Sequence, residues 1–65
     1  MPKYPDITVQ LTGKDGNAFN ILGICLQAMR RAGLSQEERD AFQAEATSGN
    51  YDHLLATCME WFNVE

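Results

Sequence analysis

Residues 18–32, AFNILGICLQAMRRA, decide how this chain is read. Ala18, Ile21, Leu22, Cys25, Met29 and Ala32 recur at spacings of three and four, which predicts one apolar stripe of a helix. Phe19, Gly23 and Leu26 widen that stripe, and Ile24 and Ala28 lie opposite it, so the apolar arc covers most of the circumference. Start and stop signals bracket the segment. Asn17 stands where its side-chain oxygen accepts from a first-turn N–H, and Arg30 and Arg31 set cations at the negative end of the helix dipole. Gly33 and Leu34 follow in the order of a left-handed glycine and a hydrophobic residue that closes the last turn. Gly23 costs about 1 kcal/mol against Ala in a helix interior, and close approach of another backbone is the expected compensation.

Upstream, Ile7, Val9 and Leu11 alternate with Thr8, Gln10 and Thr12, the period of a strand with one buried face over residues 7–12. The lead-in MPKYPD carries two prolines, and GKDGN at 13–17 has turn composition. Downstream, Ser35 and Glu38 form the S-x-x-E pattern of a capping box and open a second helix over about 36–47, polar but for Phe42 and the three alanines Ala41, Ala44 and Ala46. Ser48, Gly49 and Asn50 interrupt it. A third helix over about 51–62 shows the stripe Tyr51, Leu54, Leu55, Cys58, Met59 and Phe62, with Trp61 at its edge. The tail FNVE alternates again and is placed to pair beside the first strand; pairing with a second chain is the alternative. The expectation is one α+β domain over 1–65: an N-terminal strand, three helices and a short C-terminal strand.

At 65 residues and 7.3 kDa the core is thin, since such a chain buries only about 60% of the surface it exposes when unfolded. Domains this small gain stability from disulfides, a metal, very regular packing or self-association. The two cysteines, Cys25 and Cys58, carry no zinc-type spacing and fall on apolar helix faces. They read as small core residues, with a disulfide between the helices as the geometric alternative. Self-association as a homodimer is therefore the expected supplement, and no metal or cofactor is expected. The net charge of −4 sets nucleic acid at a disadvantage, because binding it relies on Lys and Arg. MPKYPDIT lacks the apolar run of a secretory leader and no segment is long enough to span a membrane, so a cytoplasmic, non-membrane protein is expected.

Four features bear on function. A strand, a Gly-containing turn and a helix start present backbone N–H groups to an anion, here at Gly16, Asn17 and Ala18, although Asp15 opposes it and no phosphate-loop spacing is present. His53 beside Asp52 has the composition of a base and its partner, yet neighbours on a helix point apart, and no nucleophile is paired with them. Two helices joined by residues 32–35 have a helix-turn-helix outline, but the second opens QEERD, with three acids against one base. A nucleic-acid reading requires Lys3, Lys14, Arg30, Arg31 and Arg39 to gather on one face. Finally, Ile24, Ala28 and Trp61 are apolar residues left over once the stripes are assigned, and mark a surface for another protein.

Residues from about 21 to 62 resemble ubiquitin-associated-type three-helix modules, with a Gly-containing turn after the first helix and Trp61-Phe62 closing the third. Ala32-Gly33-Leu34 replaces that family's Met-Gly-Phe or Met-Gly-Tyr loop; the resemblance implies peptide or protein binding through a helical surface. Over nearly its whole length, through VQLTGKDGNAFNILG and EATSGNYDHLL, the chain resembles a group of short uncharacterised proteins of bacteria, phages and plasmids. That resemblance implies a free-standing protein of bacterial or phage type and transfers no site. The expected function is a non-catalytic protein–protein interaction or adaptor module with an unidentified protein partner. The alternatives are a small-ligand or anion-binding domain at residues 16–18 and, third, a nucleic-acid-associated regulator.

Overall fold

The computed structural model describes residues 2–11 and 17–65. Among these, β1 (Tyr4–Val9) is followed by α1 (Ala18–Arg31), α2 (Gln36–Ala46), α3 (Tyr51–Trp61) and β2 (Phe62–Val64). The tail does pair with the first strand: β1 and β2 form a two-stranded parallel sheet, with Tyr4 opposite Phe62, Thr8 opposite Asn63 and Val9 opposite Val64. The register is irregular between Tyr4 and Thr8. Beyond the assigned ends, Lys3 N donates to the Glu60 carbonyl at 2.8 Å. Glu65 N donates to Val9 O and Leu11 N to Glu65 O, each at 2.9 Å. The fold is α+β, and the sheet joins the two ends of the described chain.

The first strand begins three residues before the expected start and ends earlier. Alternation marked where one face is buried, and Ile7 and Val9 are indeed buried with Thr8 exposed between them. The actual limits come from the partner: β2 starts at Phe62, and Tyr4 lies beside Trp61 and Phe62, with ring centroids 5.8 and 6.3 Å away. Residues 12–16, which include Lys14 and Gly16 and most of the expected turn, lie outside the described residues.

Each helix begins and ends as its local chemistry dictates. The side chains of Asn17, Ser35 and Asn50 accept from Phe19, Glu38 and His53 backbone N–H groups respectively. At the end of α1, Gly33 has φ +84°, and its N–H donates to Arg30 O while Leu34 N–H donates to Met29 O. These two bonds form the Schellman closure that requires a left-handed residue, hence glycine. The capping box at the start of α2 is complete in both directions.

The core collects Ile7 and Val9 from β1, Ile21, Cys25 and Met29 from α1, Phe42 and Ala46 from α2, Leu54, Cys58 and Trp61 from α3, and Phe62 from β2. Thr57 is the buried polar residue, and its hydroxyl donates to the His53 carbonyl at 2.8 Å. The buried face of α3 is rotated from the expected stripe: Tyr51 and Met59 are exposed, whereas Trp61 is buried. The cause is at the helix end. Phe62 leaves the helix in an extended conformation (φ −132°, ψ 166°) and is itself buried, which turns Trp61 inward.

Gly23 does not accommodate a neighbouring backbone. A Cβ built there meets nothing within 4 Å, so its side of α1 is open. With neither a steric nor a conformational need for glycine, the ordinary propensity difference of about 1 kcal/mol applies. Gly23→Ala is expected to raise the melting temperature by roughly 4–8 °C in thermal unfolding followed by circular dichroism; a lower value would show that the open face is occupied by something else.

Candidate interaction surface

Three grooves cross the described surface. The largest, about 520 Å³, runs between α1 and α2 and is lined by Leu26, Gln27, Arg30, Gln36, Arg39, Asp40 and Gln43. It is polar, contains both charge signs, and its Arg39 guanidinium donates to the Leu34 carbonyl at 3.0 Å. The second, about 290 Å³, lies between α1 and β1, where Ile24 and Ala28 meet Thr8, Val9 and Gln10, with Gln27 and Arg31 at its rim. The third, about 280 Å³, is bounded by the first turns of α1, the α2–α3 turn and the start of α3. Its lining is Ala18, Phe19, Leu22, Ala46, Thr47, Gly49, Asn50, Tyr51 and Leu54, which is largely apolar and carries no charged side chain.

The exposed aromatic rings stand at this third groove. Phe19 is 84% exposed and Tyr51 41% exposed, while Leu54 on the groove floor is buried. Local sequence explains the placement. Asn17 accepts from Phe19 N at 2.8 Å and starts the helix there, which fixes Phe19 on the first turn of α1. Asn50 accepts from His53 N at 2.9 Å and does the same for Tyr51 on α3. Two helix starts thus face one another across the α2–α3 turn.

That turn is held by His53. Its Nε2 lies 2.9 Å from the Glu45 carbonyl and 3.1 Å from Ser48 Oγ, and the Ser48 hydroxyl donates to the same carbonyl at 2.7 Å. The Glu45 carbonyl is an acceptor, so His53 Nε2 carries the proton that closes the last turn of α2. A Cβ at Gly49 would come within 2.9 Å of the His53 ring, which explains the glycine. The imidazole is a structural closure of α2, with its reactive nitrogen already bonded.

The sequence-derived sites are distributed as follows. Ile24 and Ala28 are half-buried and share the β1 groove. Trp61 does not join them at the surface: it is 6% exposed, its Nε1 donates to Glu45 at 2.9 Å, and Lys3 Nζ sits 4.2 Å above its ring. It is a core residue because the departure of Phe62 from the helix brings both rings onto Phe42, with centroids 5.3 and 5.1 Å away. Of the anion-site residues, Gly16 lies outside the described residues, Asn17 caps α1, and Ala18 lines the third groove beside Phe19. The described cations do not share a face: Lys3 covers Trp61, Arg30 and Arg39 line the polar groove, and Arg31 rims the β1 groove. Phe19 lies on the widened edge of the apolar arc, and no signal in the sequence marks it as the exposed member.

No described helix is long and apolar enough to cross a membrane. The chain matches no protein-family model, no curated protein and no solved structure.

One ionisable pair ties the sheet to α2. Tyr4 Oη donates to Glu38 Oε2 at 2.8 Å, while Glu38 Oε1 accepts from the Ser35 backbone and hydroxyl. The Tyr4 bond, and after it those from Ser35, holds the Glu38 carboxyl below the usual carboxylate range; the same bond to Glu38 pushes the Tyr4 phenol up. A carboxyl that titrates lower when folded contributes stability above its unfolded pKa and loses it as pH falls through the folded value. The phenol runs oppositely, contributing below its unfolded pKa and losing that contribution as pH rises through the folded value. Melting temperature measured from about pH 6 down to about pH 3 is expected to fall more steeply in the parent protein than in Glu38→Gln. Parallel slopes would remove Glu38 from the acid response.

Proposed function

We propose that this chain is a non-catalytic protein–protein interaction module that docks through the groove between α1 and α3, and that a second copy of the chain occupies it. One observation carries this reading: Phe19, 84% exposed, stands at the lip of an apolar groove of about 280 Å³ on the same face. A projecting ring beside a receptive groove is self-complementary. A two-fold contact places Phe19 of each copy in the groove of the other, because an isologous interface uses one patch twice. Two chains of net charge −4 repel at long range, but the groove itself is lined without a charged side chain, as the core of an interface requires. Thinness of the core points the same way, since a domain of 65 residues gains from self-association.

A non-catalytic role is supported by the remaining chemistry. Both thiols are fully buried against each other and His53 Nε2 is bonded to a backbone carbonyl. No nucleophile stands beside a free base among the described residues.

Molar mass by size-exclusion chromatography with light scattering, at micromolar and then near-millimolar protein, tests the proposal. The parent protein is expected near twice 7.3 kDa and Phe19→Asp near the single-chain mass, with unchanged helix content because the ring contributes little to the folded core. Phe19→Ala is expected to weaken the dimer about 100-fold or more, as two rings each lose about 1.5–3 kcal/mol of burial. A parent protein that stays monomeric at every concentration overturns self-docking and leaves the groove to an apolar segment of another protein. A dimer indifferent to Phe19→Asp moves the interface elsewhere.

A further inference from the structure

Cys25 and Cys58 lie 33 positions apart in sequence, one on α1 and one on α3, with their sulfurs 3.5 Å apart. Both are 0% exposed. The contact is a thiol–thiol hydrogen bond between two helices, and the chain contains no third cysteine. We propose that this pair is a site of thiol oxidation, converted by a hydroperoxide into one intramolecular disulfide that ties α1 to α3.

Several observations support this beyond the packing role that a buried cysteine ordinarily fills. Two sulfurs already in contact need only move about 1.5 Å toward each other to reach bonding distance, a displacement that side-chain rotation on two opposed helices supplies. With only two cysteines present, no competing intramolecular pairing exists. The hydrogen bond to Cys58 first, and burial after it, pushes the Cys25 thiol up. The same hydrogen bond pulls the Cys58 thiol down. Either sulfur can donate in this contact, so either can attack first while the other resolves.

The step balances as follows. The thiolate of one cysteine attacks one oxygen of hydrogen peroxide, the O–O bond breaks, and its sulfenic acid and one water form. The other cysteine's sulfur then attacks that sulfenic sulfur, an S–S bond replaces the S–O bond, and a second water leaves with the second thiol's proton. The two sulfurs give up two electrons, and the peroxide accepts them. Because both thiols are buried, the first step waits on local opening of the fold and is slower than in the unfolded chain. This inference is independent of what occupies the groove at Phe19.

The test uses the full chain, freed of reductant and exposed to hydrogen peroxide. Afterwards the protein is unfolded in denaturant, treated with N-ethylmaleimide and weighed by intact mass spectrometry. The expected product is lighter by two hydrogens, takes up no maleimide, and yields a linked peptide containing Cys25 and Cys58; oxygen added at the three methionines is counted separately. Closing a loop of this length is expected to raise the melting temperature by more than about 10 °C, reversed by dithiothreitol and absent in Cys25→Ala and Cys58→Ser. Both thiols still reactive, cysteines carrying only added oxygen, a disulfide joining two chains, or a cross-link that leaves the melting temperature unchanged would each overturn the proposal. The mass and mapping readouts on the parent protein stand even where a variant fails to fold.

Discussion

Two consecutive aromatic residues, Trp61 and Phe62, are both buried against Phe42, and the rest of the molecule accommodates that constraint. On a helix, neighbouring side chains diverge by about 100°, so a continuing α3 could bury only one of the two rings. The chain resolves this by ending the helix at Trp61 and extending at Phe62. An extended segment then needs partners for its backbone, and β1 supplies them in parallel register. Tyr4 completes the cluster from β1, stacking near Phe62 while its hydroxyl reaches Glu38 on α2. The N-terminal strand, the second helix and the C-terminus therefore meet at one aromatic junction. The two-stranded sheet is marginal by itself and depends on that junction for its stability.

What the sequence made legible was local. The caps at Asn17, Ser35 and Asn50, the glycine closure at Gly33 and the limits of three helices follow from side chains within a few residues of the backbone groups they satisfy. The pairing of the tail with the first strand was also legible, because alternation at both ends requires partners. What escaped reading depends on contacts distant in sequence. The span of β1 is set by where β2 begins. The burial of Trp61 is set by the departure of Phe62, and the role of His53 by the α2 carbonyl of Glu45, eight residues earlier. The helix cost of Gly23 pointed to a close backbone neighbour, yet the space beside it is open. A stripe pattern gives the direction of a face and not whether another element arrives to cover it.

The same distinction governs the candidate surface. α1 is apolar over a wider arc than its neighbours cover: Ile21, Cys25 and Met29 lie at the buried centre, Leu22, Ile24, Leu26 and Ala28 are partly covered, and Phe19 projects from the first turn. Leaving a phenylalanine in water forgoes about 1.5–3 kcal/mol of burial, a large fraction of the stability open to a chain of this size. Arg30, Arg31 and Arg39 are long and solvated, and any of them placed at the first turn of α1 would have made a neutral groove impossible. Instead the cations sit toward the other end of α1 and on α2, and Phe19 projects beside a groove it shares with Tyr51.

The contact between α1 and α3 bears on both the surface and the core. Leu22 and Leu54, which line the groove, lie one turn from Cys25 and Cys58 along their respective helices. Small side chains at the contact let two helices approach closely, and cysteine meets that need as a compact apolar residue. Alanine or serine would satisfy the size requirement as well, but alanine would leave a gap between the helices and a serine hydroxyl in the same position would add a polar group to be satisfied. A thiol pair satisfies its own weak hydrogen bond without importing a partner from elsewhere. The spacing that packs α1 on α3 is therefore the spacing that places two oxidisable sulfurs within reach of one another.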